Sequence, residues 1–190
     1  MLRLIHICTL LIAVCFSVMA QAQQSPGSVE FFGVKLKNAT RVQLRGALKN
    51  SPLQVEREED NYWVDLYHSG AALEGSSQLA VGYTNQGQFA YAEYTFQSFM
   101  DTQQVQRIVD MVAAKYGKPT RFSGNVGLGE VEAVWQRGKD VSIKVYRGWP
   151  QTTTYLRFSD SAAENQMTAE IKAEKAAQTR QKAASQSQAF

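Results

Sequence analysis

The chain has 190 residues, with 20 Lys and Arg against 17 Asp and Glu, a net charge of +3, two cysteines and two histidines. That length holds one domain with a real core. The near-balanced, unclustered charge leaves no electrostatic footprint for nucleic acid or anionic lipid.

Met1 to Ala22 reads as a secretory signal peptide: a basic Arg3, an apolar run from Leu4 to Val18, and small residues at Ala20 and Ala22 that fit an A-x-A cleavage site. The apolar run falls short of the roughly 20 residues that a bilayer requires, and no other segment approaches that length, so no membrane span is expected after cleavage. Cys15 follows Val14 instead of the Gly or Ala that precedes a lipidated cysteine, so a lipid anchor is not expected either. Cleavage after Ala22 shortens the chain by 22 residues to 168. It also removes one basic residue, Arg3, so the net charge falls from +3 to +2. Both cysteines and one histidine leave with the signal, and His68 alone remains. Neither a Cys or multi-His metal site nor a Cys nucleophile can be built from such a chain, and no cofactor is expected. The expected location is the periplasm or the secreted space.

Gln23 to Ser28 is a flexible Gln/Ser/Pro/Gly leader, and residues 29–160 form the expected domain. In it, Thr40 to about Asn50 predicts a helix with Val42, Leu44, Ala47 and Leu48 apolar, closed by Ser51-Pro52. Strands are then predicted at Leu53 to Arg57, Tyr62 to Tyr67, Gln78 to Thr84 and Gln88 to Phe96. Asp101 with Gln104 reads as an N-cap and its reach-back partner. Behind that cap, Val105, Ile108, Val109, Val112, Ala113 and Tyr116 recur at helical spacing until Gly117 and Pro119 stop the helix. Four more strands follow at Thr120 to Ser123, Val131 to Arg137, Val141 to Arg147 and Thr152 to Phe158. Residues 161–190 are an Ala/Gln/Lys/Glu-rich tail, partly helical or disordered, in which Met167 and Ile171 alone suggest an apolar stripe.

The order helix then four strands occurs twice, in 29–98 and 99–160, and each half is too small to bury its own core. The fold class expected is therefore α+β: two tandem helix-plus-four-strand units forming a mostly antiparallel sheet with both helices on one face. This order resembles the beta-lactamase-inhibitor-protein-like fold over roughly Phe31 to Phe158. The corners Gly33-Val34-Lys35-Leu36-Lys37-Asn38-Ala39-Thr40 and Lys115-Tyr116-Gly117-Lys118-Pro119 are also similar to those of small bacterial envelope lipoproteins of outer-membrane assembly. Members of that family carry a lipid-modified cysteine at the mature N-terminus, which this chain lacks. The resemblance implies a binding module with no chemistry of its own, and no functional residue transfers from it.

Alternation along the strands separates two faces. Tyr62, Val64, Leu66, Leu79, Val81, Tyr83, Val131, Trp135, Val141, Ile143, Val145, Leu156 and Phe158 form the set expected under the helices. The opposite set, Trp63, Asp65, Tyr67, Phe89, Tyr91, Glu93, Lys144, Tyr146, Tyr155 and Arg157, interleaves aromatics with charges, the composition of binding hot spots. High strand propensity of Tyr and Trp, with loops or the tail covering this face, explains the same residues. Trp149, set between Gly148 and Pro150 at a tight turn, either folds over the sheet edge or stands exposed for a partner. The candidate interaction residues are thus Trp63, Tyr67, Tyr91, Lys144, Tyr146, Trp149, Tyr155 and Arg157.

The functional expectation is a secreted or periplasmic non-catalytic binding module, an inhibitor or immunity-type protein in character, whose partner is another envelope or secreted protein; its oligomeric state stays open. The alternative is a small carboxylate-dependent hydrolase working through Asp65 and Glu93. His68 beside Ser69 lacks an orienting acid. Glu58-Glu59-Asp60 lacks the alternating spacing of a calcium loop. Gly124, Gly127 and Gly129 lack the Lys-Ser/Thr and strand-to-helix setting of a phosphate cradle.

Overall fold

The computed structural model describes residues 28–98, 101–150 and 152–187; Met1 to Ala22, which carry the export reading, and most of the leader lie outside them. A short hairpin, β1 (Glu30–Phe31) and β2 (Val34–Lys35), leads into α1 (Arg41–Leu48). Thr40 caps α1 reciprocally: its Oγ1 accepts from the Gln43 backbone N–H, while Gln43 Oε1 accepts from the Thr40 N–H at 2.9 Å. Leu44 and Leu48, one turn apart, are the buried residues of α1, whereas Val42 points to solvent at 81% exposure.

Four strands follow, β3 (Gln54–Arg57), β4 (Val64–His68), β5 (Gln78–Tyr83) and β6 (Phe89–Phe96), and then α2 (Gln104–Tyr116). α2 starts later than its expected cap. Asp101 Oδ1 accepts from the Gln103 N–H, and Gln104, instead of reaching back to Asp101, donates its amide to the Gln97 carbonyl at 2.8 Å. The helix buries Val105, Ile108, Val109 and Val112 at the expected spacing and ends at Gly117. β7 (Arg121–Gly124), β8 (Val131–Arg137), β9 (Val141–Arg147) and β10 (Thr154–Asp160) complete the strands.

The protein is α+β, with one large antiparallel sheet in the order β3-β4-β5-β6-β10-β9-β8-β7. Its two edges are the two short, exposed four-residue strands, which suits edges that must not recruit further chains. β6 and β10 meet at the centre in register, Ala92 opposite Phe158 and Tyr94 opposite Leu156.

Residues opposite one another across the ladder share a face. The row Asp65, Val81, Ala92, Phe158, Ile143 and Trp135 therefore lies on one side of the sheet. Most of it belongs to a hydrophobic cluster that also takes Leu44 and Leu48 from α1 and Val105, Ile108, Val109 and Val112 from α2. Two expectations are corrected here. On β4 the faces are exchanged: Asp65 and Tyr67 are buried on the core side, while Tyr62 is exposed and Val64 and Leu66 are half-buried on the other. Phe89 also joins the core, because the β5–β6 register shifts between Gly82 and Tyr83 and sets Phe89 opposite Tyr83.

β10 runs directly into α3 (Ser161–Gln186). Asp160, 1% exposed, caps it by accepting from the Ala162 and Ala163 N–H groups. The same carboxylate takes the Lys37 ammonium at 2.9 Å, which Asp140 shares at 3.0 Å. α3 then returns over the second sheet face, where Ala163, Met167 and Ile171, spaced one turn apart, meet Ala90, Trp63, Val64 and Tyr91. Beyond Ile171 every described residue of the helix is exposed.

Met167→Asp should detach α3 without unfolding the sheet, because it sets a carboxylate in the smaller cluster only. Hydrogen exchange is expected to speed up at residues 163–171 while the β6 and β10 amides keep their protection.

Candidate functional site

The residues expected to form a recognition face divide into three groups. Tyr67 is not on that face: it is 1% exposed within the main core, its hydroxyl donating to Glu58 at 2.7 Å, and burial followed by that carboxylate pushes its pKa well up. The expectation for Tyr67 is corrected by the pairing of β4 with β5, which sets it opposite Leu79.

Trp63, Tyr91 and Arg157 do lie on the second face, but α3 engages them. The Trp63 indole N–H donates to Glu174 at 2.9 Å, and the Trp63 and Tyr91 rings pack with Met167 and Ile171. The Arg157 guanidinium stacks 3.8 Å above the Tyr91 ring. It bridges Glu93 at 2.7 Å and Glu164 of α3 at 2.6 Å. Burial opposes the Arg157 charge, yet Glu93 and then Glu164 outweigh it and raise its pKa. Tyr91 is raised by burial in spite of Arg157. The ring fits so closely because it covers Gly82 across the ladder: a β-carbon there would stand 2.3 Å from it. The interleaved charges on this face are thus matched by one another. Arg157, whose loss would leave Glu164 and Glu93 without their cation, ties α3 to the sheet beside the apolar seam.

Lys144, Tyr146, Tyr155 and Trp149 remain outside the cover of α3. The Tyr146 and Tyr155 rings stack at 5.0 Å, and the Tyr146 hydroxyl donates to Glu93 at 2.7 Å. Burial and then Glu93 raise the Tyr146 pKa. Lys144 pairs with Glu132 at 2.9 Å. Three residues past Tyr146, Trp149 is 60% exposed. It lines a cleft of about 240 Å³ with Leu128, itself 67% exposed, and with Gly127, Gly129, Pro150 and Thr152. The opposing loop is pinned from below by Arg147, 5% exposed, whose guanidinium donates to the carbonyls of Gly129 at 2.9 Å, Asn125 at 3.1 Å and Val126 at 3.2 Å. Sequence reading missed Leu128 and Arg147: an exposed Leu between two glycines was the available signal for the first, and none existed for the second.

The carboxylate pair offered for hydrolysis is also corrected. Asp65 is fully buried on the core side, held by Arg45 through two bonds of 2.8 and 2.7 Å, whereas Glu93 sits on the opposite face with Arg157 and Tyr146. The sheet separates them. Asp65 and Asp60 lift the Arg45 pKa, against the opposing effect of burial. Ser69 is buried with its hydroxyl 2.8 Å from that of Ser76, while His68 is exposed at the strand end. Glu58 is taken by Tyr67, and Asp60 by Arg45. Among the described residues no group of three or more His, Cys, Asp or Glu could hold a metal ion. No helix among them is long and apolar enough to cross a membrane.

Arg45→Met should cost about 3–5 kcal/mol by leaving the buried Asp65 carboxylate alone. Arg45→Met combined with Asp65→Leu should regain most of that loss in urea melts, which marks the pair as structural.

No family model matches this chain, and no curated protein matches it. Among solved structures, a DUF4309 family protein (YjgB) from Bacillus subtilis subsp. subtilis str. 168 is similar with a TM-score of 0.43 at 15% identity, over 70% of this chain and 88% of the other.

Proposed function

We propose that the protein is an exported, non-catalytic binding module of the periplasm or secreted space, which meets another envelope or secreted protein through the Trp149 end of its sheet. The observation that carries this reading is the facing of two large exposed apolar residues, Trp149 and Leu128, across a cleft whose loop a buried Arg147 holds in place. Soluble domains leave single apolar residues in water as a matter of course. A Trp and a Leu sharing one anchored cleft, with a stacked Tyr pair on the adjoining strands, have the make-up of an interface core. Trp63, Tyr91 and Arg157 belong to the scaffold in this reading.

The same reading takes the chain as two tandem helix-plus-four-strand units with both helices on one face, similar to the beta-lactamase-inhibitor-protein-like fold. Two observations support it. The strand order has β6 and β10, the last strand of each unit, at its centre, and α1 and α2 contribute to one cluster. Export rests on the Arg3, Leu4 to Val18 and Ala20-Gln21-Ala22 pattern.

With tagged protein and envelope extract, Trp149→Ala should weaken capture of the partner about thirtyfold, the equivalent of a 2 kcal/mol hot spot. The melting temperature should hold, as exposed substitutions stay within about 0.5 kcal/mol. Trp63→Ala should do the reverse, lowering stability and sparing capture. Equal capture by wild type and Trp149→Ala overturns the proposed surface. Intact-mass analysis of exported material should find a chain beginning at Gln23; a full-length chain in the membrane fraction overturns the export reading.

A further inference from the structure

A cleft of about 160 Å³ opens where four parts of the chain converge: the first residue of α1, the turn that leads into β4, the β5–β6 turn and the outer part of α3. Unlike the Trp149 cleft it is mostly polar, with Tyr62 and Trp63 as its aromatic members. Its volume is about half the lower end of drug-sized pockets, roughly 300 Å³, so it has room for one small ring and for no longer ligand.

Every charged group on these walls is already engaged. Arg41 donates from its two outer nitrogens to the Asp60 carbonyl at 3.3 Å and the Tyr62 carbonyl at 2.7 Å, and its Nε is buried. One Asp60 carboxylate oxygen takes Arg45 at 2.7 Å, with Arg41 3.8 Å away. Glu174 accepts from the Trp63 indole N–H at 2.9 Å through one oxygen and from the Gln178 amide at 3.0 Å through the other. An anion would face two carboxylates across an Arg41 whose outer nitrogens are both taken. A cation would have to displace Arg45 or Arg41 from Asp60, or Trp63 or Gln178 from Glu174.

The groups left over are neutral. Asn61 and Asn85, one on each turn, are exposed, and neither side-chain amide bonds to another group among the described residues. Each amide carries two donors and an acceptor in one plane. That set complements neighbouring hydroxyl groups, which both donate and accept, better than it complements an ion. The frame around the amides is fixed. The Asn85 backbone N–H donates to Glu170 at 2.8 Å, the Thr84 N–H to the Gln88 carbonyl at 2.9 Å, and the Tyr83 N–H to the Trp63 carbonyl at 2.9 Å. Little ordering is therefore left for a ligand to impose.

We propose that this cleft binds a single neutral sugar ring, its hydroxyls shared between the Asn61 and Asn85 amides and its C–H edges against the aromatic wall. The free amides select hydroxyls, the engaged charges reject ions, and the volume sets one ring. The Trp149 surface takes no part in this site, so either proposal can fail alone.

The test titrates the protein with methyl glucoside, methyl galactoside and N-acetylglucosamine, read by the side-chain amide signals of Asn61 and Asn85 and the indole N–H signal of Trp63. Glucuronate and glucosamine are the anionic and cationic controls, and glycerol is the open-chain one. Saturable shifts of these signals are expected with at least one neutral sugar, in the millimolar range usual for so small a ligand. Both charged sugars should bind more weakly, and glycerol should show no saturation. Asn61→Ala and Asn85→Ala should each weaken the sugar about tenfold, as losing one partner of a hydrogen bond does. The melting temperature should hold in both, since the side chains are exposed and unbonded. The proposal is overturned if none of the three neutral sugars gives saturable shifts, or if glycerol saturates the same signals. It is also overturned if a charged sugar binds as tightly as the neutral ones, or if affinity is indifferent to either Asn substitution.

Discussion

The pairing of β6 with β10 is the contact on which the rest of the molecule depends. It joins β3 to β6 with β7 to β10 through six residue pairs that are distant in sequence. Each face of that joint carries its own cross-strand pairs. On the core side Ala92 faces Phe158 and Tyr94 faces Leu156, and on the other side Arg157 faces Glu93 at ion-pair distance. Without the joint, two four-stranded sheets would each present a long, apolar inner strand to solvent, the arrangement that invites pairing with other chains. With it, the outermost strands are the short, polar β3 and β7.

The eight-stranded sheet is covered along its core side and, over β5, β6 and β10, on its second side, and the two covers differ in kind. The core side is closed by aliphatic residues of α1 and α2, with Asp65 admitted only because Arg45 reaches in from α1 to meet both its oxygens. The second side is closed by a narrow apolar line, Ala163, Met167 and Ile171, and by charges that satisfy one another. Since the seam is narrow, α3 is expected to open more readily than the sheet beneath it. Its start is nevertheless fixed: the one buried carboxylate of Asp160 both caps the helix and holds Lys37 from the segment before α1.

How much of this was legible follows from where the determining partners sit. β8 and β9 are legible over most of their length, with Ala133, Trp135, Val141, Ile143 and Val145 inward, because these residues are apolar and need no distant explanation; only Arg137 and Arg147, at the strand ends, break the pattern. β4 misleads because its inward residues are Asp65 and Tyr67, made acceptable by Arg45 and Glu58, neither of which any strand period reveals. The β5–β6 bulge moves Phe89 across the sheet, a change of phase that a two-residue repeat cannot express. In the tail, Met167 and Ile171 were visible as a pair, but Ala163, the residue that extends them into a stripe, is small enough to pass for any helix surface. The candidate cleft was legible as one odd Trp and no further, since Arg147 and Leu128 gain their meaning only when β8 and β9 bring their loops together.

That cleft shows what the buried charge at Arg147 achieves. A guanidinium withdrawn from water is costly unless its donors are met. Here they are met by three carbonyls of the Asn125–Gly129 loop, groups that would otherwise be free to solvent. The exchange gives little net stability to a surface loop, but it gives one conformation to Leu128 and therefore one shape to the space beneath Trp149. An aromatic presented by a mobile loop loses much of its contact energy to ordering when a partner arrives. A loop already held from within has met that cost on folding, and that holds for Leu128, which lines the same cleft as Trp149.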